Sequence, residues 1–140
     1  QFIEAATDDA NVLAGLMDAP GPNSLLDDGG GPKASYSGAV FFKTDGSTVW
    51  QCESSVGGAQ QTTITAAAAG GASYRTLRIE FQPITSTTGE VRFFIDGTFV
   101  AKHSITFTSA TEMAVAFGVK AGGANSETLN VDYVGCHQLR

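Results

Sequence analysis

The side chains able to do chemistry are few and widely spaced. Hydrolysis of a glycosidic bond needs two carboxylates about 5–10 Å apart across the scissile bond. Glu80 and Glu90 each fall alone on the polar side of an alternating segment, and Asp96 belongs to an Asp-Gly turn. No such pair is expected. His103 and His137 are isolated, and His137 follows Cys136 directly, so in a strand those two side chains would point to opposite faces. Zinc needs further ligands at chelating spacing, and both histidines are read as structural. Asp8-Asp9 and Asp27-Asp28 offer the hard oxygens that suit Ca²⁺, but without the alternating ligands of a calcium loop they read as solvated acids. Ser24, Ser35 and Ser37 have no G-x-S-x-G context. The expectation is therefore no catalytic residue, no bound metal, no cofactor and no enzymatic activity.

Aromatic residues are the other candidates. Trp50 and Tyr36, with Tyr74 and Tyr133, could stack on a sugar ring. Core packing competes for the same rings, because Tyr133 and Phe93 fall on the apolar sides of their segments. Trp50 lies between Val49 and Gln51, which leaves its facing open. Trp50 and Tyr36 stand as the possible ligand-stacking residues.

Composition bounds the scaffold that must position these groups. A chain of 140 residues, 42% hydrophobic, has the size of one domain and can bury a core. No run of about 18 apolar residues suggests a membrane span. Seventeen glycines and only 16% charged residues suit strands joined by tight turns. The net charge of −6 is unevenly placed: Glu4, Asp8, Asp9, Asp18, Asp27 and Asp28 precede the first basic residue, Lys33. The remainder carries eight acids and eight bases. With no basic patch to neutralise phosphates, nucleic-acid binding is not expected. The acidic segment reads as solvated loop, or as a docking surface for a basic partner or cations. The chain opens on Gln1 rather than Met, which reads as a processed or trimmed start. Cys52 and Cys136 could pair if their strands are neighbours; buried free thiols are the default expectation.

Periodicity predicts strands throughout. Phe2 to Ala6 is short and could be the end of a strand, and Val12 to Met17 is a strand. Asp18 to Ser37, with Pro20, Pro22, Pro32 and Gly29-Gly30-Gly31, is a long loop. Ala39–Lys43 and Thr48–Glu53 flank Asp45-Gly46, a hairpin signal because both turn positions favour positive φ. Gly57-Gly58 is a further turn, leading into Gln61–Ala66. From Tyr74 to Gln82, Leu77, Ile79 and Phe81 share one face while Arg78, Glu80 and Gln82 share the other. Val91, Phe93 and Ile95 point inward, and Asp96-Gly97 closes a hairpin into Phe99–His103. Met113, Val115, Phe117 and Val119 alternate with small residues, as Leu129, Val131 and Tyr133 alternate with Asn130 and Asp132. About eight to ten short strands and no helix predict an all-β, antiparallel two-sheet β-sandwich. One domain over 1–140 is expected, with an acidic, loop-rich part at 1–37 and a sandwich body at 38–137. Its expected core is Leu77, Ile79, Phe81, Val91, Phe93, Ile95, Val115, Phe117, Leu129 and Val131.

The run Tyr74-Arg75-Thr76-Leu77-Arg78-Ile79-Glu80-Phe81, followed by Val91 to Ala101 with its Asp96-Gly97, resembles concanavalin A-like (laminin G-like) jelly-roll modules. Leu129 to Val134 is similar to their closing strand. Gly38 to Cys52, with Phe41-Phe42, Asp45 and Trp50-Gln51-Cys52, resembles the versions found in tailed-bacteriophage virion proteins. The resemblance covers about residues 38–137. It implies a concanavalin-like jelly roll and a structural role in a virion, as a capsid decoration (cement) protein or a tail or fibre component. It also implies other virion subunits as partners and an oligomeric state. A carbohydrate-binding or adhesion module recognising host cell-surface glycans is the alternative. The E-x-D-x-x-E string of the fold's glucanases is missing. Such modules have further strands ahead of the Val12 region, so a longer polypeptide or a partner is expected to supply that pairing. With so few apolar residues after Met17, residues 1–37 are expected to be ordered chiefly by neighbouring subunits.

Overall fold

The computed structural model describes residues 2–3, 9–70, 73–106 and 112–137. Among them are ten strands and no helix. In chain order they are β1 (Phe2–Ile3), β2 (Ala10–Met17), β3 (Gly38–Lys43), β4 (Val49–Val56), β5 (Ala59–Ala68), β6 (Leu77–Pro83), β7 (Thr88–Ile95), β8 (Thr98–Thr106), β9 (Ala114–Ala121) and β10 (Thr128–Leu129). A five-stranded sheet runs β5-β4-β3-β2-β9, a three-stranded sheet runs β6-β7-β8, and β1 pairs with β10. Every ladder is antiparallel. The expected all-β, two-sheet β-sandwich is the fold observed.

The two larger sheets face one another across an apolar layer. Val12, Phe41, Trp50 and Cys52 project from the five-stranded sheet to meet Val91, Phe93, Ile95, Ala101 and Ile105 from the three-stranded one. Phe93 is fully buried, with its ring edge-on to Phe41 at 5.3 Å and to His103 at 5.1 Å. Such edge-to-face contacts place the positive rim of one ring against the negative face of another. The alternation predicted for β7 is obeyed residue by residue. Leu77, Ile79 and Phe81 are only partly buried, at the margin of the same layer.

Three parts of the expected core lie elsewhere. Val115 and Phe117 are on the inner face of β9, opposite Leu16 and Ala14. They remain 41% and 45% exposed, because the three-stranded sheet is too narrow to reach over the fifth strand. Val131 is also exposed, and so is Tyr133 at 82%. The predicted closing strand is reduced to Thr128–Leu129, and 130–137 has no ladder partner. Alternation predicted an inward side for Val131 and Tyr133, but among the described residues the segment has no strand to pair with. The strand expected over Gln61–Ala66 runs longer at both ends, from Ala59 to Ala68.

The hairpin signals divide. Asp96 and Gly97 both adopt positive φ, 50° and 79°, in a two-residue connection between paired Ile95 and Thr98. Gly57-Gly58 does the same between Val56 and Ala59. Asp45-Gly46 sits instead in a longer connection closed by Ser47 N–H donating to the Thr44 carbonyl at 3.0 Å. Only Gly46 has positive φ there.

The largest departure concerns the long loop, which is ordered by this chain's own residues. The outer face of the five-stranded sheet carries a second apolar cluster: Leu13, Met17, Val40, Phe42 and Ala116, covered by Leu25 and Tyr36 from the loop. An isolated bridge between Leu25 and Pro32 and a hydrogen bond from Leu26 N–H to the Gly31 carbonyl fold the loop on itself. Leu25 and Tyr36, 3% and 2% exposed, are few but fully used. The ordering expected from neighbouring subunits is thus supplied from within for residues 18–37; Glu4 to Asp8 lie outside the described residues.

Replacing Phe93 by Ala should destabilise the protein by about 3–5 kcal/mol, the usual cost of emptying a buried Phe site, read from denaturant midpoints. Gly97→Val should cost roughly 1 kcal/mol or more, because a β-branched residue resists positive φ. Open space surrounds the position, so steric crowding would not contribute, and a thermal melt isolates the backbone effect.

Candidate functional site

Trp50 and Tyr36 are both buried, so neither presents a ring face to solvent. β4 turns the Trp50 side chain inward, where its ring lies edge-on to Phe41 at 6.4 Å. Tyr36 is clamped under the loop, its hydroxyl donating to Glu53 Oε1 at 2.9 Å. Burial, followed by the neighbouring Glu53 carboxylate, pushes the phenol far above its ordinary range. Glu53 also accepts from Gln60 Nε2 at 2.9 Å and Thr62 Oγ1 at 2.6 Å. A carboxylate 5% exposed is satisfied on all sides by this set. Its chemistry is to anchor the 18–37 loop. Alternation along β4 could have flagged Glu53 as facing outward, but nothing local showed that a loop would cover it.

The acids of the three-stranded sheet are engaged as well. Glu80 pairs with Arg78 at 2.6 Å, and Glu90 pairs with Arg92 and Lys102, each at 2.9 Å. The hydrogen bond from Lys102, then that from Arg92, holds the Glu90 carboxyl below its usual range. A general acid would need the opposite shift. Asp96 is lowered too, first by the Thr76 N–H and then by Arg75, whose Nη1 lies 2.7 Å away. Of these pairs only Lys102–Glu90 joins two strands of the sheet, β8 and β7. Asp27 pairs with Lys120 at 3.0 Å. Among the described residues no three of His, Cys, Asp and Glu converge to hold a metal ion; Asp8 lies outside them. Cys52 is buried and Cys136 exposed, both free, so the default of two buried thiols holds only for Cys52. Burial pushes the Cys52 thiol up to about 12, which keeps it protonated and unreactive.

His103 is the one ionisable ring in the inter-sheet layer among the described residues. Its Nδ1 lies 2.9 Å from Ser54 Oγ and its Nε2 2.9 Å from Thr63 Oγ1. A neutral ring donates with one nitrogen and accepts with the other, and two hydroxyls satisfy either tautomer. His137, at an exposed position, has no such setting.

The remaining candidate is a surface. Beyond β6 the inner face of the five-stranded sheet opens into a hollow of about 80 Å³, lined by Val12, Ala14, Leu77, Phe117 and Leu129 among others. Ligand pockets run to about 300–1,000 Å³, so this one admits a side chain rather than a sugar ring or cofactor. On the outer face, a shallow hollow of about 400 Å³ lies between Pro20, Pro22 and Leu25 of the loop and the Ala116–Lys120 stretch of β9. The two hollows flank β9 on both faces, and among the described residues β9 is an edge strand of its sheet. Apolar side chains, shallow depressions and unpaired backbone groups together suit contact with another polypeptide. No family model, curated protein or solved structure matches this chain.

Burial holds the His103 imidazole below its ordinary value near 6.5. The unfolded chain therefore takes up a proton that the folded chain resists, and stability is full above about pH 6.5 and falls as pH drops below it. Thermal melts between pH 5 and 8 should show this loss, and His103→Gln should flatten the His-dependent part of the profile.

Proposed function

We propose that this chain is a non-enzymatic structural component of a bacteriophage virion, acting through contacts with other virion subunits on the capsid or in the tail or fibre. The virion assignment rests on the resemblance of residues 38–137 to concanavalin-like modules of tailed phages. The assembly role rests on one structural observation: an apolar strip, with Val115 and Phe117 at its centre, exposed along the free edge of a long sheet. Val131 and Val134 add to the exposed apolar surface. Burial of such a strip against a neighbour is worth about 25 cal/mol per Å², and edge pairing adds direction to that attraction.

The glycan-binding alternative would have to use other rings than those first considered. Tyr74 and Tyr133, 58% and 82% exposed, present themselves to solvent, whereas Trp50 and Tyr36 do not.

Immunogold electron microscopy of particles of the phage that encodes the chain tests the proposal directly. Labelling at a regular site on heads, tails or fibres is expected. Particles free of the antigen, with the chain recovered only in the particle-free fraction, would overturn it. A dose-dependent signal from the free chain on a glycan array, lost on Tyr133→Ala, would favour the adhesive reading.

A further inference from the structure

We infer that the free edge of β9 is a self-complementary pairing site for a second copy of this chain. The inference rests on the assembly reading in using the same surface, but not on the assignment to a virion. β9 runs eight residues, Ala-Val-Ala-Phe-Gly-Val-Lys-Ala, with no proline and a single charge. Edge strands that avoid association carry prolines, several charges or bulges. Those devices appear at the other edges: β6 ends at Pro83, and β8 carries Lys102 within a charged surface. β5 is long and uncharged, but its ladder with β4 is broken by a register shift between Ile64 and Ala68, an irregularity that interrupts the edge.

On β9 a register is selected. Two copies placed antiparallel about a twofold axis at Ala116 bring Val115 opposite Phe117 of the second copy, and Met113 opposite its Val119. The same placement sets Glu112 opposite Lys120, and symmetry repeats each contact. Residues opposite in this register share a face, so the inner faces of the two sheets are continuous. The apolar pairs all fall on the inner side, where Val115 and Phe117 are now exposed. An aromatic ring opposite a β-branched side chain is a favourable cross-strand pair.

The opposite charges fall on the outer side. Lys120 is already held there by Asp27 at 3.0 Å, and continuing the extended chain two residues ahead of β9 would set Glu112 on the same side. Moving the axis to Phe117 would place Lys120 opposite Ala114 and leave Glu112 without its cation. Between them, at the twofold, lie only Ala114, Ala116 and Gly118, which add little bulk of their own beside Leu25 of the loop that covers this face. Strand pairing alone buries less than the roughly 1,200–2,000 Å² of a stable interface. The dimer is accordingly weak and concentration-dependent, and becomes persistent only where many copies are held together.

Sedimentation velocity on the full chain over a concentration series tests the pairing. Reversible dimerisation is expected. Glu112→Lys alone and Lys120→Glu alone should each weaken it roughly tenfold, since like charges then face one another at two symmetric positions. An equimolar mixture of the two variants should restore association as a heterodimer, because every facing pair again has opposite signs. A chain monomeric at all concentrations, a dimer indifferent to both substitutions, or a mixture no tighter than either variant would overturn the inference. Glu112→Lys, at an exposed position, tests the register even if Lys120→Glu disturbs the Asp27 contact, and circular dichroism melts check that both variants fold. A dimer obeying the charge rule in a protein missing from particles would sink the virion proposal and leave the pairing intact. A strictly monomeric chain that labels particles would do the reverse.

Discussion

β2 and β3 carry apolar side chains on both faces, and both faces have to be taken out of water. β3 is buried at all six positions and β2 at six of eight. A sheet with one wet face would have been satisfied by the three-stranded sheet alone. Here Val12, Ala39 and Phe41 face that sheet, while Leu13, Met17, Val40 and Phe42 need a second cover. The 18–37 loop supplies it with Leu25 and Tyr36. Double-sided burial thus explains why a proline- and glycine-rich segment is ordered, while β9, at the sheet's margin, keeps Val115 and Phe117 exposed.

Polar groups inside this arrangement serve as locks. The Tyr36 hydroxyl bonds to Glu53, and the Ser55 hydroxyl donates to the Tyr36 carbonyl at 2.6 Å; together they pin the loop's end to β4. Ser54 and Thr63 hold the His103 ring across the gap between sheets. Lys43, fully buried, donates to the Ala10 carbonyl at 2.9 Å, which ties the end of β3 to the start of β2. Unsatisfied, each buried group would cost about 1–3 kcal/mol, and more where charged. Satisfied, they prescribe which loop meets which strand with a directionality that apolar contact lacks.

Exposed apolar residues on β9 follow from the difference in sheet width, five strands against three. The inner layer runs out before the outer sheet does, and the short β1–β10 ladder covers only part of the remainder. Self-association through that edge, or docking of another subunit there, would finish the burial that the fold leaves incomplete.

Period-two alternation determined the strands from Leu77 to His103 and the inward set Val91, Phe93 and Ile95, and the positive-φ preference of Asp96-Gly97 determined the tight turn. Those features depend on neighbours within a few residues, where side-chain direction and φ preference are local properties of the chain. The same alternation assigned Val115, Phe117 and Val131 to the core, and there it failed. It reports which side of a strand a residue is on, but not whether another layer lies over that side. Trp50 and Tyr36 were ambiguous for the same reason. Their burial depends on Phe41 and the inter-sheet layer in one case and on Glu53 and a folded-back loop in the other, contacts between different elements rather than along one strand. The candidate docking edge is likewise a tertiary result, since β9 becomes an edge only when no strand forms beyond it. Residue types and spacing therefore determined the strands and their faces, while only the tertiary structure decided which faces were covered, because coverage depends on the width and stacking of sheets that no local stretch of sequence specifies.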